Sequence, residues 1–169
     1  MLRFDLRELA QGPVETQAEL GPKDPLFDRL SVTLAEPVRV GGRLQGTGEN
    51  RYYWHGTLHT AVAGECRRCL TPVTIPVAVD VGALFTRDAD AAEDPDAYRL
   101  MAHDTEVDLR PAVREELALA VPQFLVCREE CRGLCPQCGR DLNAGPCGCA
   151  RAPDPRWRAL ANLKGKLRD

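Results

Sequence analysis

Eight cysteines in 169 residues, set as four close pairs, constrain this chain more than any other feature. The pairs are Cys66/Cys69, Cys127/Cys131, Cys135/Cys138 and Cys147/Cys149, and six of the eight fall within the 23-residue stretch CREECRGLCPQCGRDLNAGPCGC. Such density reads as a disulfide framework in an oxidising compartment and as metal ligation in a reducing one. The N-terminal MLRFDLRELA alternates charged and apolar residues and lacks the continuous apolar segment of a secretory signal. A cytoplasmic location is therefore expected, and with it metal rather than disulfides. A tetrahedral zinc site takes four soft ligands, and a short hairpin carrying two thiolates is half of such a site. Eight thiolates predict two closed sites and two zinc ions.

Local spacing suggests how the pairs combine. Cys135-Pro-Gln-Cys138-Gly139 has the form of a zinc knuckle, in which Gly139 permits the positive φ that closes the turn. Cys147-Gly-Cys149 supplies two more thiolates after a loop of eight residues, so Cys135, Cys138, Cys147 and Cys149 form the natural first group. Cys66-Arg-Arg-Cys69 falls at the bend between two predicted strands, and Cys127 and Cys131 are one helical turn apart. Joining these two pairs would pin the C-terminal module to the β region. Four pairs can be joined in three ways; short loops favour this grouping, but the sequence does not choose. Four protein sulfurs leave no open position for water, which argues for architecture over catalysis.

Two reactive alternatives use the same residues. Cys131-x-x-x-Cys135-x-x-Cys138 has the spacing of a radical-generating iron–sulfur motif, yet only 31 residues follow Cys138, too few for the barrel such chemistry needs. Cys66 and Cys69 could be a redox pair whose thiol pKa Arg67 and Arg68 would lower. A thioredoxin-like pair opens a helix in a βαβ unit, whereas this one joins two β segments. His55 and His59 share one strand face, where a metal site is possible, but no carboxylate or cysteine stands near in sequence and an ordinary strand face is the favoured reading. Arg51, Tyr52, Tyr53 and Trp54 could stack on bases, but aromatic strand residues pack sheets by default. No nucleotide-binding loop, nucleophile elbow or paired catalytic carboxylates are found.

The length fits one domain with a small appended module. Hydrophobic residues are 44% and aromatics 5%, giving a modest aliphatic core. No apolar run reaches the about 18 residues of a membrane span. The expected fold is α+β: an antiparallel β meander or partly open barrel with a packed helix, a cysteine-rich zinc-binding module and a terminal helix. Residues 1–125 would form the β-rich domain and 126–169 the module with its helix. Residues 2–9 could be a first strand, while 11–30, rich in Gly and Pro, look like loop. Four to five strands follow: VTLAEPVRV split by Pro37, a turn at GTGEN, and Val73, Ile75, Val77, Val79 and Val81 on one face. Residues 87–97 are acidic and rich in breakers, an exposed loop. A short strand pair is expected in YRLM and TEVDL. Asp108 would cap a helix from Leu109 to about Val121, with Val113, Leu117 and Ala120 on its apolar face and Pro122 as its stop. A last helix would start at Asp154-Pro155 and run to about Leu167, with Trp157, Leu160, Leu163 and Leu167 as its stripe.

Charge is uneven along the chain. Residues 1–125 hold 13 Lys+Arg and 20 Asp+Glu, a net −7; residues 126–169 hold 9 and 5, a net +4. A basic tail on an acidic body is compatible with nucleic-acid contact, and Arg67, Arg68, Arg132, Arg140, Arg156, Arg158, Lys164 and Lys166 are the candidates. A filled four-thiolate zinc site carries a formal −2, which offsets much of that +4.

CRRCL at 66–70, PAVREELALAVPQFLVC at 111–127, CRGLCPQCGRDLN at 131–143, CGC at 147–149 and DPRWRALANLK at 154–164 together resemble the YceD-like family, the large ribosomal RNA subunit accumulation proteins of bacteria and plastids. The resemblance covers about residues 60–167 strongly. It implies a non-enzymatic role in accumulation or processing of 23S ribosomal RNA, with that RNA or a large-subunit precursor as partner and neither membrane nor small-molecule substrate. By position the motif residues are Cys66, Arg68, Cys69, Glu115, Cys127, Cys131, Gly133, Cys135, Cys138, Cys147 and Cys149. Two functions of other classes compete: a zinc-stabilised protein-interaction module without RNA contact, and a redox or iron–sulfur protein.

Overall fold

The computed structural model describes residues 2–88, 97–149 and 156. Its frame is built where strand-favouring residues run longest without a breaker. Strands β4 (Val38–Gly48), β5 (Arg51–Glu65) and β6 (Pro72–Thr86) form an antiparallel meander. The β4–β5 turn falls at Glu49–Asn50, within the predicted GTGEN, and Asn50 takes a left-handed φ of 61°. Along β6 the predicted alternation holds. Val77 and Val81 are buried and Val73, Ile75 and Val79 half-buried, while Thr74, Pro76, Ala78 and Asp80 face solvent. Pro37 lacks a backbone N–H and splits its segment as expected. β3 (Thr33–Leu34) pairs with the end of β5 and β4 resumes at Val38 on the same side.

Four local expectations are corrected. Residues 14–20, read as loop, form β2 (Val14–Leu20), antiparallel to β4. The Gly-Pro dipeptides at 12–13 and 21–22 bracket VETQAEL without interrupting it. Residues 2–9 divide into β1 (Arg3–Asp5) and a one-turn helix α1 (Leu6–Leu9), where the Asp5 carboxylate accepts from the Arg7 amide. The strands predicted in YRLM and TEVDL exist but do not pair with each other. β7 (Ala97–Arg99) lies parallel to β6, and β8 (Glu106–Asp108) pairs with β1. Helix α2 is Arg110–Ala120, starting one residue late, and the Asp108 carboxylate still accepts from the Arg110 amide at 3.0 Å. Ala120 is exposed; Ala112, Val113 and Leu117 are the buried face. Val121 turns extended ahead of Pro122. The acidic segment 89–96 and the final helix with its stripe lie outside the described residues.

The result is an open, mostly antiparallel sheet in the order β2-β4-β5-β6-β7, with α2 packed on β6. One face carries the core: Val38, Val40 and Leu44, then Trp54, Leu58 and Val62, then Val77, Val81 and Phe85, closed by Leu109, Val113 and Leu117. Each such side chain, fully buried, contributes about 1.5–3 kcal/mol. Trp54 belongs to this core and not to a base-stacking surface; its indole N–H donates to the buried Thr16 hydroxyl at 2.9 Å. Gly42 and Gly56 lie opposite each other beneath its ring, and a Cβ at Gly56 would come within 2.5 Å of Trp54 Cζ2. On the other face His55 and His59 are exposed, each across from an arginine of β4, and they share no metal geometry. Tyr98 donates to Glu115 at 2.6 Å and ties β7 to α2.

Candidate metal centre

The long β5–β6 hairpin ends in Cys66-Arg67-Arg68-Cys69-Leu70-Thr71. The Cys66 amide donates to the Thr71 carbonyl (2.9 Å) and the Leu70 amide to the Cys66 carbonyl (2.8 Å), with Leu70 at φ 61°. The same pattern recurs at Cys135-Pro136-Gln137-Cys138-Gly139-Arg140. There the Cys135 amide donates to Arg140 and the Gly139 amide to Cys135, both at 2.8 Å, with Gly139 at φ 72°. Each turn aims two sulfurs to one side. The left-handed position is free of strain for Gly139 and costs about 1–2 kcal/mol for Leu70.

The four sulfurs of Cys66, Cys69, Cys127 and Cys131 converge within 4.8 Å of one another, and so do those of Cys135, Cys138, Cys147 and Cys149. Of the three possible combinations, the structure adopts the one favoured by short loops. It separates Cys131 from Cys135 and Cys138, so the iron–sulfur spacing does not correspond to one site. In the first set, Cys66 and Cys131 lie 3.8 Å apart and Cys69 and Cys127 3.7 Å, sulfur to sulfur. A disulfide needs about 2.05 Å, whereas a tetrahedron with metal–sulfur bonds of about 2.3 Å has edges of about 3.8 Å. The donor set therefore fits a four-coordinate thiophilic ion. All eight thiols are free.

Hydrogen bonding prepares the sulfurs for that role. Burial raises the Cys66 thiol, but backbone N–H groups of Cys127, Arg68 and Cys69 outweigh it and hold it at about 6. The amides of Cys138 and Gln137 bring Cys135 to about 6 as well. Burial opposes a lower value for Cys131, which the Asn143 side chain and the Gly133 amide nevertheless produce. Cys127 is pushed up to about 12 by burial and then by thiol contacts with Cys131, Cys69 and Cys66. Cys149 reaches about 12 through Cys138 first and burial second. Four thiols crowded together cannot all ionise unless a cation joins them.

A clasp holds the segment after α2 against the hairpin. The Arg67 amide donates to the Leu125 carbonyl and the Leu134 amide to the Arg68 carbonyl, both at 2.9 Å. Arg68 Nη1 donates to the carbonyls of Glu129 (2.7 Å) and Cys131 (3.1 Å), so this candidate nucleic-acid residue is drawn into holding the metal site. Gly133, at φ 71°, has no room for a side chain, since a Cβ there would lie 2.6 Å from the Arg68 carbonyl oxygen. Asn143 links the two sets: its amide donates to Cys131 Sγ at 3.5 Å and its oxygen accepts from the Arg132 amide at 2.9 Å.

Of the other basic candidates, Arg67, Arg132, Arg140 and Arg156 are exposed, while Arg158, Lys164 and Lys166 lie outside the described residues. Sequence reasoning did not single out Phe124, which is 59% exposed with the Arg67 guanidinium stacked over its ring.

The model of the large ribosomal RNA subunit accumulation protein YceD matches residues 54–164, the hairpin and the cysteine-rich segment together. The chain belongs to this family. An uncharacterized protein of Mycobacterium tuberculosis is 36% identical over 118 residues, covering 68% of this chain and 56% of its own length. The YlbN protein of Bacillus subtilis is 31% identical over 130 residues, 75% of this chain and 74% of its own. A chloroplastic YCED homolog 1 of Arabidopsis thaliana, a large ribosomal RNA subunit accumulation protein, is 26% identical over 141 residues, 66% of this chain and 44% of its own. The chain thus spans about half the length of this relative and of those like it in Mycobacterium bovis and a second Mycobacterium tuberculosis strain. No solved structure matches it. No helix among the described residues is long and apolar enough to cross a membrane.

Proposed function

We propose that the chain is a non-enzymatic factor for accumulation or processing of 23S ribosomal RNA and assembly of the large ribosomal subunit, acting in the cytoplasm. Two structural zinc ions would hold its RNA-facing surface in shape. The observation that carries this is the joining of the family's hairpin and cysteine-rich segment into two four-sulfur sets that fit a tetrahedral ion. Zinc has no redox chemistry, favours four thiolates and would neutralise their mutual repulsion. Cys66, Cys69, Cys127 and Cys131 would hold one ion, and Cys135, Cys138, Cys147 and Cys149 the other. With four sulfurs to each ion, no position is left for a reacting water.

The test is depletion in the source organism with rescue by plasmid. Levels of 23S RNA and of large subunits should fall, and recover with the wild-type chain but not with Cys66→Ser. Unchanged 23S RNA after verified depletion would end the proposal. Metal analysis of the purified chain should find about two zinc and no iron. The acidity of residues 1–125 favours one second reading, a zinc-stabilised module that binds a protein partner. An affinity for 23S fragments that does not fall with salt would support it over RNA contact.

A further inference from the structure

Phe124 has little structural reason to be where it is. It follows Pro122 in the segment leaving α2, and its ring stays mostly in solvent while its neighbour Leu125 enters the core. The carbon of the Arg67 guanidinium lies 4.1 Å from the ring centroid, a cation–π contact at the surface. The pair is preorganised, because the Arg67 amide is fixed on the Leu125 carbonyl and Cys66 beside it is a ligand of the first metal set. A groove of about 340 Å3 opens at the stack, with Val32, Pro122 and Leu125 as apolar wall and Ser31, Thr33, Gln123 and the Glu65 carboxylate as polar rim.

Six arginines of the sheet and its flanks are held in ion pairs. Arg3, Arg7, Arg39, Arg43, Arg51 and Arg110 each have a carboxylate within 4.0 Å. Arg67, Arg128 and Arg132 are exposed and form no ion pair among the described residues. All three are sequence neighbours of ligands of the first set, Cys66, Cys127 and Cys131, and Arg67 also meets the Phe124 ring. A flat exposed ring beside positive charge free of carboxylates matches the chemistry of an unpaired nucleobase followed by its phosphates.

The geometry points to Phe124 and Arg67 as a stacking platform for a base of single-stranded RNA, with Arg128 and Arg132 taking the adjoining phosphates. This rests on the proposed role in ribosomal RNA and names the surface and the RNA form involved. Rim hydroxyls and the Gln123 amide would meet the edge of the base.

The test uses the full, zinc-loaded chain and fluorescence anisotropy with an unstructured oligouridylate of about a dozen nucleotides, against a duplex of equal length, at several salt concentrations. Phe124→Ala should weaken single-strand binding by about 5- to 150-fold, leave the salt slope unchanged and spare duplex binding. Phe124→Trp should restore affinity. Arg128→Ala and Arg132→Ala should each reduce the salt slope by about 0.7. A Phe124→Ala variant within twofold of wild type, or no recovery with Phe124→Trp, overturns the platform. If the arginine variants instead lose metal with an unchanged slope, those groups balance the thiolate charge and the phosphate track is refuted. A wild-type chain that ignores single strands while its depletion lowers 23S RNA refutes the platform and leaves the proposed function standing. Single-strand binding without a depletion effect does the reverse.

Discussion

Replacing Gly133 with alanine isolates the clasp between hairpin and module, and Gly139→Ala provides its control. Both glycines hold nearly the same backbone, φ 71° and 72°. An L-residue in that region costs about 1–2 kcal/mol, which applies to both variants. The surroundings then separate them. A Cβ at Gly139 meets nothing within 4 Å, whereas one at Gly133 would lie 2.6 Å from the Arg68 carbonyl oxygen, which is backbone and cannot rotate away. Relief requires moving the hairpin from the module and stretching the Leu134 to Arg68 hydrogen bond, worth about 1 kcal/mol. The Arg68 guanidinium bonds to the Glu129 and Cys131 carbonyls lie on the same displaced interface, so they weaken too, discounted for their exposure. The control should lose about 1–2 kcal/mol and Gly133→Ala about 2–4 kcal/mol, a lowering of Tm by roughly 5–15 °C for a chain of this size. Calorimetry of the metal-loaded proteins measures the difference, and a timed competition with a chromogenic chelator reads metal release. Gly133→Ala should surrender one of its two ions early and Gly139→Ala neither. Equal melting and equal release in the two variants would refute the clasp.

Three further outcomes follow from the same geometry. Thr16→Val leaves the buried Trp54 indole N–H without its acceptor and should cost about 1–3 kcal/mol in urea unfolding, with the metal content unchanged. Chelating the metal should abolish hydrogen-exchange protection across residues 127–149 while the β4–β6 core keeps its own; retained protection in 127–149 after confirmed metal loss would contradict the coupling of binding to folding. Metal affinity should rise with pH. Cys127 and Cys149, at about 12, carry protons at pH 7 that the metal must displace, while Cys66 and Cys135, at about 6, are already mostly thiolate there. Below about pH 6 these two take up protons as well, so the dependence steepens on the acid side; an affinity flat from pH 5 to 8 in a competition assay would exclude this.

Much of the candidate metal centre was legible because chain connectivity carries its signal. Two cysteines separated by two residues stay within reach of one ion in almost any turn, and a glycine after the second marks the left-handed closure. That second cue appears at Gly139 but not at Leu70, where the hairpin imposes the same backbone on a less suited residue. Register on β6 was legible for a similar reason, since alternation is a local property. Partner choice was not. The strand segments in YRLM and TEVDL were recognisable, yet one found β6 and the other β1, and nothing within either segment encodes those distant edges. β2 was missed because glycine and proline at its ends dominated a short edge strand in which only Thr16 is fully buried.

The two knuckles share a hydrogen-bond pattern but not a setting, and that difference gives them separate work. In the first set Cys66, Cys69 and Cys131 are buried, and two of its ligands belong to the longest hairpin of the sheet. In the second only Cys135 is buried, and all four ligands come from one short stretch of chain. An ion lost from the second set would free a loop; one lost from the first would free the module from the body. Arg68 shows the consequence. Its position between two ligands suggested an outward charge, but its guanidinium caps the carbonyls of the segment it holds, while Arg67 beside it remains free to stack on Phe124. Adjacent residues of identical chemistry are thus divided by the hairpin between holding the metal site and facing solvent. Substituting them separately distinguishes these roles: Arg68→Ala should hasten metal release with little change in RNA affinity, and Arg67→Ala should do the opposite.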